Sequence, residues 1–296
     1  MRLVLIALLT VLVLGIFLLG RALRHLFGRR VTFHFEVVRL WSVLCLGLAG
    51  LRIRVRGQPI QAGALVANHC SWLDILVLRS VRLIYFVSKA EVARWPGIGF
   101  ITRVTGTIFI ERQRSAAKEQ EALLRSRIAH DQLLCFFPEG TSTNGQVLLP
   151  FKSSLFSAFW EEGEGTALPV QPVTICYHPR PGLPPCFYSW WGEMSFGQSL
   201  WNILTLSRRG RVEVIFHPAA QARDFPDRKA LAEHCHGAVR QGVESGQPAD
   251  ACRCAIESGA DSSGAQAGEG EAGTYMNRAA RGHSATAPDG ASNDTE

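Results

Sequence analysis

The segment Leu3 to Gly20, LVLIALLTVLVLGIFLLG, contains no charged residue. In an α-helix these residues extend roughly 27 Å, just enough to cross a hydrocarbon core of about 30 Å. A cleaved signal peptide would have a shorter apolar region, about 7–15 residues, ending in small residues. GRALRHLFGRR follows instead, so the segment reads as an uncleaved membrane anchor. Arg21, Arg24, Arg29 and Arg30 directly after it predict that the bulk of the chain faces the cytoplasm and that anionic lipid headgroups are partners. A second apolar run, Leu40 to Leu51, spans about 12 residues, too few to cross, and fits an interfacial, re-entrant or core helix.

The rest of the 296-residue chain is long enough to bury a substantial core. Its net charge of +6 calls for an anionic partner. Because much of the excess follows the apolar segment, lipid is favoured, and no nucleic-acid-binding signature is present. The eight cysteines are scattered, and in a cytoplasmic domain they are expected to be reduced. His234-Cys235-His236 and Cys252-x-Cys254 match no standard zinc spacing, so no metal is expected.

Downstream, strand-like and helical runs alternate. Strands are expected at 64–67, 83–87, 107–110, 133–137, 170–176 and 212–216, and helices at 73–79, 91–104 with a break at 95–97, 115–130 and 154–160. This alternation implies an α/β domain with a mostly central β-sheet flanked by helices, behind an N-terminal transmembrane or interfacial helical anchor. The expected organisation is an anchor over 1–52, a catalytic domain over 53–250 and a tail over 251–296. From Glu257 the tail holds no Leu, Ile, Val, Phe or Trp, too little apolar surface to offset its ordering entropy, and is expected to be disordered.

Three islands carry candidate chemistry. In Asn68-His69-Cys70-Ser71-Trp72-Leu73-Asp74, Ser71 and Asp74 have the spacing of a capping box. His69 then lies just outside a helix N-terminus and Asp74 in its first turn, where the helix dipole favours an acid. A carboxylate on one imidazole nitrogen fixes the tautomer and leaves the other nitrogen to act as a base. A plain helix cap beside a structural histidine accounts for the same residues. Cys70 is a poor partner for His69, since adjacent strand residues point to opposite faces.

The second island, Gly106 to Arg112, ends a strand in an arginine suited to gripping a phosphate or carboxylate. In the third, a strand delivers Pro138, Glu139, Gly140 and Thr141 into a loop, as binding sites in α/β domains are built. Gln146 stands where a phosphate-binding loop needs lysine, and no serine-hydrolase elbow or zinc-protease helix occurs. Lys152, near a helix start, could meet an anion or simply lie at the surface.

Together the islands resemble the glycerolipid/lysophospholipid acyltransferase family. Asn68-His69 through Asp74 is similar to its N-H-x-x-x-x-D block, Gly106, Phe109 and Arg112 to G-x-x-F-I-x-R, and Phe137-Pro138-Glu139-Gly140-Thr141 to F-P-E-G-T. Pro172 falls in the fourth, proline-containing block, and Lys89, Glu91, Pro96 and Gly99 resemble the linker between the first two. The resemblance covers roughly residues 40–220. It implies transfer of a fatty acyl group from acyl-CoA or acyl carrier protein to the hydroxyl of a lysolipid, at a bacterial inner membrane. His69 would be the base and Asp74 its orienting partner. Asn68, Ser71, Gly106, Arg112, Glu139, Gly140, Thr141 and Lys152 would hold the substrate, with no bound cofactor.

Two departures bear on the acceptor. The third block continues as Ser142-Thr143 where many lysophosphatidic acid enzymes have R-S, and Ser153-Ser154 stands where a glycine is common. The run GTSTNGQVLLPFKSSLF is more similar to lyso-ornithine lipid acyltransferases. A 1-acylglycerol-3-phosphate acceptor is expected first and a lyso-ornithine lipid second, with a non-catalytic lipid-binding protein as the alternative of another class.

Overall fold

The computed structural model of the chain describes residues 1–28, 33–95, 98–110, 117–158, 168–206 and 210–246. The chain divides into Met1–Cys254 and Ala255–Glu296, and every described residue belongs to the first unit. Arg29, Arg30, Pro96, Arg112, Trp160, the Cys252/Cys254 pair and the tail lie outside the described residues.

Two helices open the chain, α1 (Arg2–Phe27) and α2 (Phe33–Leu48). Then follow β1 (Leu51–Arg56), β2 (Gly63–Ala67), α3 (Leu73–Val81), β3 (Tyr85–Lys89), α4 (Ile98–Val104) and β4 (Ile108–Ile110). The described chain continues with α5 (Ala117–Ala129), β5 (Leu133–Phe136), β6 (Pro169–His178), α6 (Phe196–Leu206), β7 (Gly210–Phe216), β8 (Ala220–Gln221) and α7 (Arg228–Gly246). The eight strands form one sheet in the order β1-β7-β6-β2-β5-β3-β4, with β8 paired to β6. β6, β2, β5, β3 and β4 run parallel, while β7 is antiparallel to β6 and β1 parallel to β7.

This is the expected α/β architecture. All residues of β2 (GALVA) and β5 (LLCF) are buried, as central parallel strands covered on both faces must be. Leu65 and Ala67 pack with Leu73, Val77 and Leu78 of α3 and Leu46 of α2. Ala64 and Val66 face the other way, onto Leu124 and Ile128 of α5 and Leu231 and Cys235 of α7.

Some elements depart from the sequence reading. The second apolar run ends as helix at Leu48, and Leu51 opens β1, whose alternating LRIRVR pattern has the period of a strand. The expected helix at 154–160 is a 3-10 turn over Ser153–Phe156 within the described residues. α6 and α7 had not been expected. The buried face of α7 is set by packing: Val239, Gly242 and Val243 are buried, and β6 is a main contact of the helix.

Proline in a central strand normally forfeits a ladder bond. On the side away from β2, β6 pairs with β7 from Val173 onward and with β8 at Pro169 and Val170. Pro172 falls between these two ladders, where no bond requires its missing N–H. Next to it the buried Gln171 side chain donates to the carbonyls of Gln58 (2.9 Å) and His217 (2.8 Å) and accepts from Ile60 N–H (2.9 Å). This amide clamps the β1–β2 connection to the sheet. Gln171→Leu should lower stability by about 2–3 kcal/mol, because it strands three backbone groups. A denaturant midpoint in detergent unchanged from wild type would refute the clamp.

Candidate active site

The site forms at the C-terminal edge of the parallel strands, where ligands bind in open α/β sheets. β2 ends at Ala67, and the next residue fixes the height of the turn. Asn68 is buried; its Nδ2 donates to Ile175 O at 3.0 Å and its Oδ1 accepts from Ile175 N at 2.8 Å. The amide thus adds one more rung between β2 and β6, and both its ends are taken by protein backbone.

Beyond it, His69 Nδ1 lies 2.7 Å from Asp74 Oδ2. The carboxylate selects the tautomer with the proton on Nδ1 and leaves Nε2 available. Asp74 is fully buried while the His69 side chain is 19% exposed, so the pair has a protected end and an open one. The imidazole stacks on Phe137, with ring centroids 4.2 Å apart, which limits its rotation.

The capping box forms by half. The Asp74 carboxylate reaches back to the N–H groups of Cys70 (2.9 Å) and Ser71 (3.0 Å). The Ser71 hydroxyl instead donates to Tyr188 O at 2.6 Å and accepts from Leu73 N–H at 3.3 Å. The hydroxyl proton of Ser71 is therefore spent within the protein. The Cys70 thiol faces Asp74, 3.9 Å from Oδ1, and burial, reinforced by the charge of Asp74, pushes its pKa well above the ordinary thiol value.

Sequence reasoning missed Tyr177. Its hydroxyl donates to Asp74 Oδ1 at 2.8 Å. Burial, with the charge of Asp74 adding to it, pushes the phenol well above its usual pKa, so the donated proton stays in place. The signal was faint: Val173, Ile175 and Tyr177 share one face of β6, and the third carries a polar tip.

Glu139 is also tied inward. One oxygen accepts the His69 backbone N–H at 2.7 Å and the other the Leu149 N–H at 2.9 Å. It braces the third-block loop against the histidine, and Thr143 N–H adds a bond to His69 O at 2.9 Å. Gly140 has φ +73°, and a Cβ there would stand 2.6 Å from Lys152 Nζ. Glycine lets the ammonium lie against the loop backbone, where Lys152 and Thr141 are both exposed.

Gly106 does not join this group. It follows α4 at φ +83°, a helix-ending conformation that suits glycine, and abuts the Tyr85 ring. The register places it at the N-terminal edge of the sheet, opposite His69. Its conformation turns the chain from α4 into β4. Arg112 lies outside the described residues.

Residues 52–176 match the family model described as Acyltransferase. The chain is 50% identical over 201 residues to a lyso-ornithine lipid O-acyltransferase of Rhodobacter capsulatus, covering 68% of this chain and 73% of that protein. It is 31% identical to a 1-acyl-sn-glycerol-3-phosphate acyltransferase of Neisseria gonorrhoeae, covering 67% and 79%. This chain belongs to the acyltransferase family. Its fold is similar to the crystal structure of the 1-acyl-sn-glycerophosphate acyltransferase from Thermotoga maritima, at TM-score 0.54 and 22% identity, covering 83% of this chain and 97% of that one.

In this acyltransferase the bracing by Glu139 is sensitive to pH. Burial pushes its carboxyl from 4.5 up to about 7, against the pull of the Leu149 and His69 N–H bonds. A folded-state value above the unfolded one adds stability at low pH that is lost as pH rises through about 7. The stability of wild type minus that of Glu139→Gln should therefore fall with rising pH across the span from 4.5 to about 7. A difference that stays flat across this span would show that the carboxyl is not perturbed.

Proposed function

We propose that this acyltransferase moves a fatty acyl group from a thioester to the free hydroxyl of a lysolipid, with His69 as the base and Asp74 orienting it. The observation that carries the reading is the 2.7 Å contact between a buried carboxylate and an imidazole whose other nitrogen is left open. Nε2 takes the proton from the acceptor hydroxyl as its oxygen attacks the thioester carbonyl. The tetrahedral intermediate collapses, the C–S bond breaks, and the leaving sulfur receives that proton from the imidazolium. Because a thioester is already activated, no metal or organic cofactor is needed in this scheme.

The acceptor is lyso-ornithine lipid in the first instance, supported by the 50% identity to an enzyme of that name. Lysophosphatidic acid is the second choice, supported by the more distant relatives. Both headgroups present an anion, a carboxylate in one and a phosphate in the other. Lys152, exposed beside Gly140, and Arg112 at the end of the second block would meet it.

For the anchor, a monotopic arrangement is the better reading. α1 is the one described helix long and apolar enough to cross a membrane. Yet Arg2 donates to Leu204 O at 3.2 Å and Arg21 to Val104 O at 3.0 Å, so both ends of α1 meet the catalytic unit. A helix crossing the bilayer away from a cytoplasmic domain could touch that domain at one end only. Leu8, Val11 and Leu12 are 61–70% exposed, apolar surface suited to lying in one leaflet.

In membranes given both acceptors and a labelled acyl donor, lyso-ornithine lipid should be acylated several-fold faster than lysophosphatidic acid; the reverse order would reassign the acceptor. His69→Ala and Asp74→Asn should lower turnover by about 10²–10⁴-fold in folded protein. Near-normal turnover in folded His69→Ala would reject His69 as the base, whereas lipid binding without acyl transfer in the wild type would leave a lipid-binding protein on this fold as the better account. Tyr177→Phe should reduce turnover less, with little change in acceptor KM, because it loosens Asp74 and not the acceptor.

A further inference from the structure

The strand that opens the sheet carries charge for which the site has no use. β1 reads Leu51-Arg52-Ile53-Arg54-Val55-Arg56, and successive side chains of a strand point to opposite faces. Leu51 and Ile53 belong to the core shared with α2 and α3, the side against which Ile6 of α1 also packs. Arg52, Arg54 and Arg56 therefore point to the other face, away from the apolar helices, and all three are exposed. β1 is the last strand on its side of the sheet.

The neighbouring strand extends the charge. In register, Arg211 of β7 stands opposite Arg52 and Glu213 opposite Arg54. Glu213 is the one acidic residue of β7; it lies 3.7 Å from Arg56 and 3.8 Å from His178. Four arginines against one glutamate leave this face positive. Two histidines respond to that field: burial holds His178 below its ordinary pKa with Arg211 adding to the effect, and His217 is lowered by burial and by Arg56.

Two features narrow the partner. An anionic bilayer contacting the apolar surface of α1 would meet the opposite face of the sheet, so a soluble anion fits the row better. Three arginines at alternate positions spread charge over about 13 Å of strand, which matches a series of carboxylates on a protein surface better than a single phosphate group. The location also suits delivery. Arg52 is level with Arg211 and, through it, with His178 at the C-terminal end of β6, the edge that carries His69. β1 and β2 are three strand spacings apart, about 14 Å, so a partner docked on β1 needs a flexible arm to bring a thioester to His69.

We infer that Arg52, Arg54 and Arg56, with Arg211, form the docking face for an acidic carrier protein that presents the acyl thioester on such an arm. This rests on the acyl-transfer reading of His69 and adds the side from which the donor arrives.

The test uses the full chain in detergent with one lysolipid acceptor and the same acyl group on an acidic acyl carrier protein or on CoA. Arg52→Glu/Arg54→Glu/Arg56→Glu should raise KM for the carrier-borne donor tenfold or more while kcat/KM for acyl-CoA stays within twofold. Binding of the carrier protein without its acyl arm, followed by interferometry, should weaken in parallel and should weaken with salt in the wild type. Arg54→Ser serves as the milder variant if the triple change unfolds the chain. Equal losses with both donors, or no loss with either, would overturn the docking face. So would unchanged carrier binding accompanied by weaker association with anionic vesicles, which would give the row to the membrane. Absence of transfer from either donor in the wild type would instead reject the acyl-transfer reading itself.

Discussion

Asp74 sits where four donors converge: the imidazole Nδ1–H, the backbone N–H groups of Cys70 and Ser71, and the Tyr177 hydroxyl. A fully buried carboxylate is tolerable only when its lone pairs are used, and here each oxygen has at least one donor. Much of the surrounding architecture can be understood as the means of bringing those donors together. The turn after β2 supplies three of them, α3 carries the acceptor, and β6 extends past β2 far enough to bring Tyr177 to it. Removing any donor leaves the rest of the turn less determined, which is why the histidine can be held so closely while its other edge stays open.

The same logic extends outward through Glu139. A carboxylate that bonds the backbone of His69 with one oxygen and that of Leu149 with the other couples the first and third blocks directly. That coupling also divides the candidate residues into two groups. Asn68, Ser71 and Glu139 spend their polar groups on the protein and hold the scaffold. Gly140, Thr141 and Lys152 lie on the open side of the loop, with Thr141 and Lys152 exposed. A glycine at position 140 links the two groups, since its φ of +73° strains any other residue.

The apolar helix α1 and the catalytic unit are less separate than the linear sequence implies. α1 is tied to α6 by Arg2, to α4 by Arg21, and to α2 by the bond from Trp41 to Thr10. Both ends of α1 are thereby held against the unit that carries His69. The positive row on β1 lies on the opposite face, so in the proposed reaction the acyl donor and the lipid acceptor come from distinct sides of the sheet.

The His69/Asp74 spacing, the helix that follows it and the alternation of strands were legible in the sequence, because each depends on residues close together in the chain. Gly106 was grouped with residues it lies apart from, and Tyr177 was overlooked, for a common reason: where they lie is set by strand order. Sequence spacing does not reveal that Gly106 opens β4 at the edge away from His69, or that a tyrosine 103 residues beyond Asp74 turns its hydroxyl toward it. By itself the sequence determined the apolar N-terminal helix, the α/β class and the residue types able to carry proton transfer. Only the tertiary structure decided which polar groups are consumed in holding the turn and which remain free, since hydrogen bonds between distant segments are chosen by the packing of the sheet.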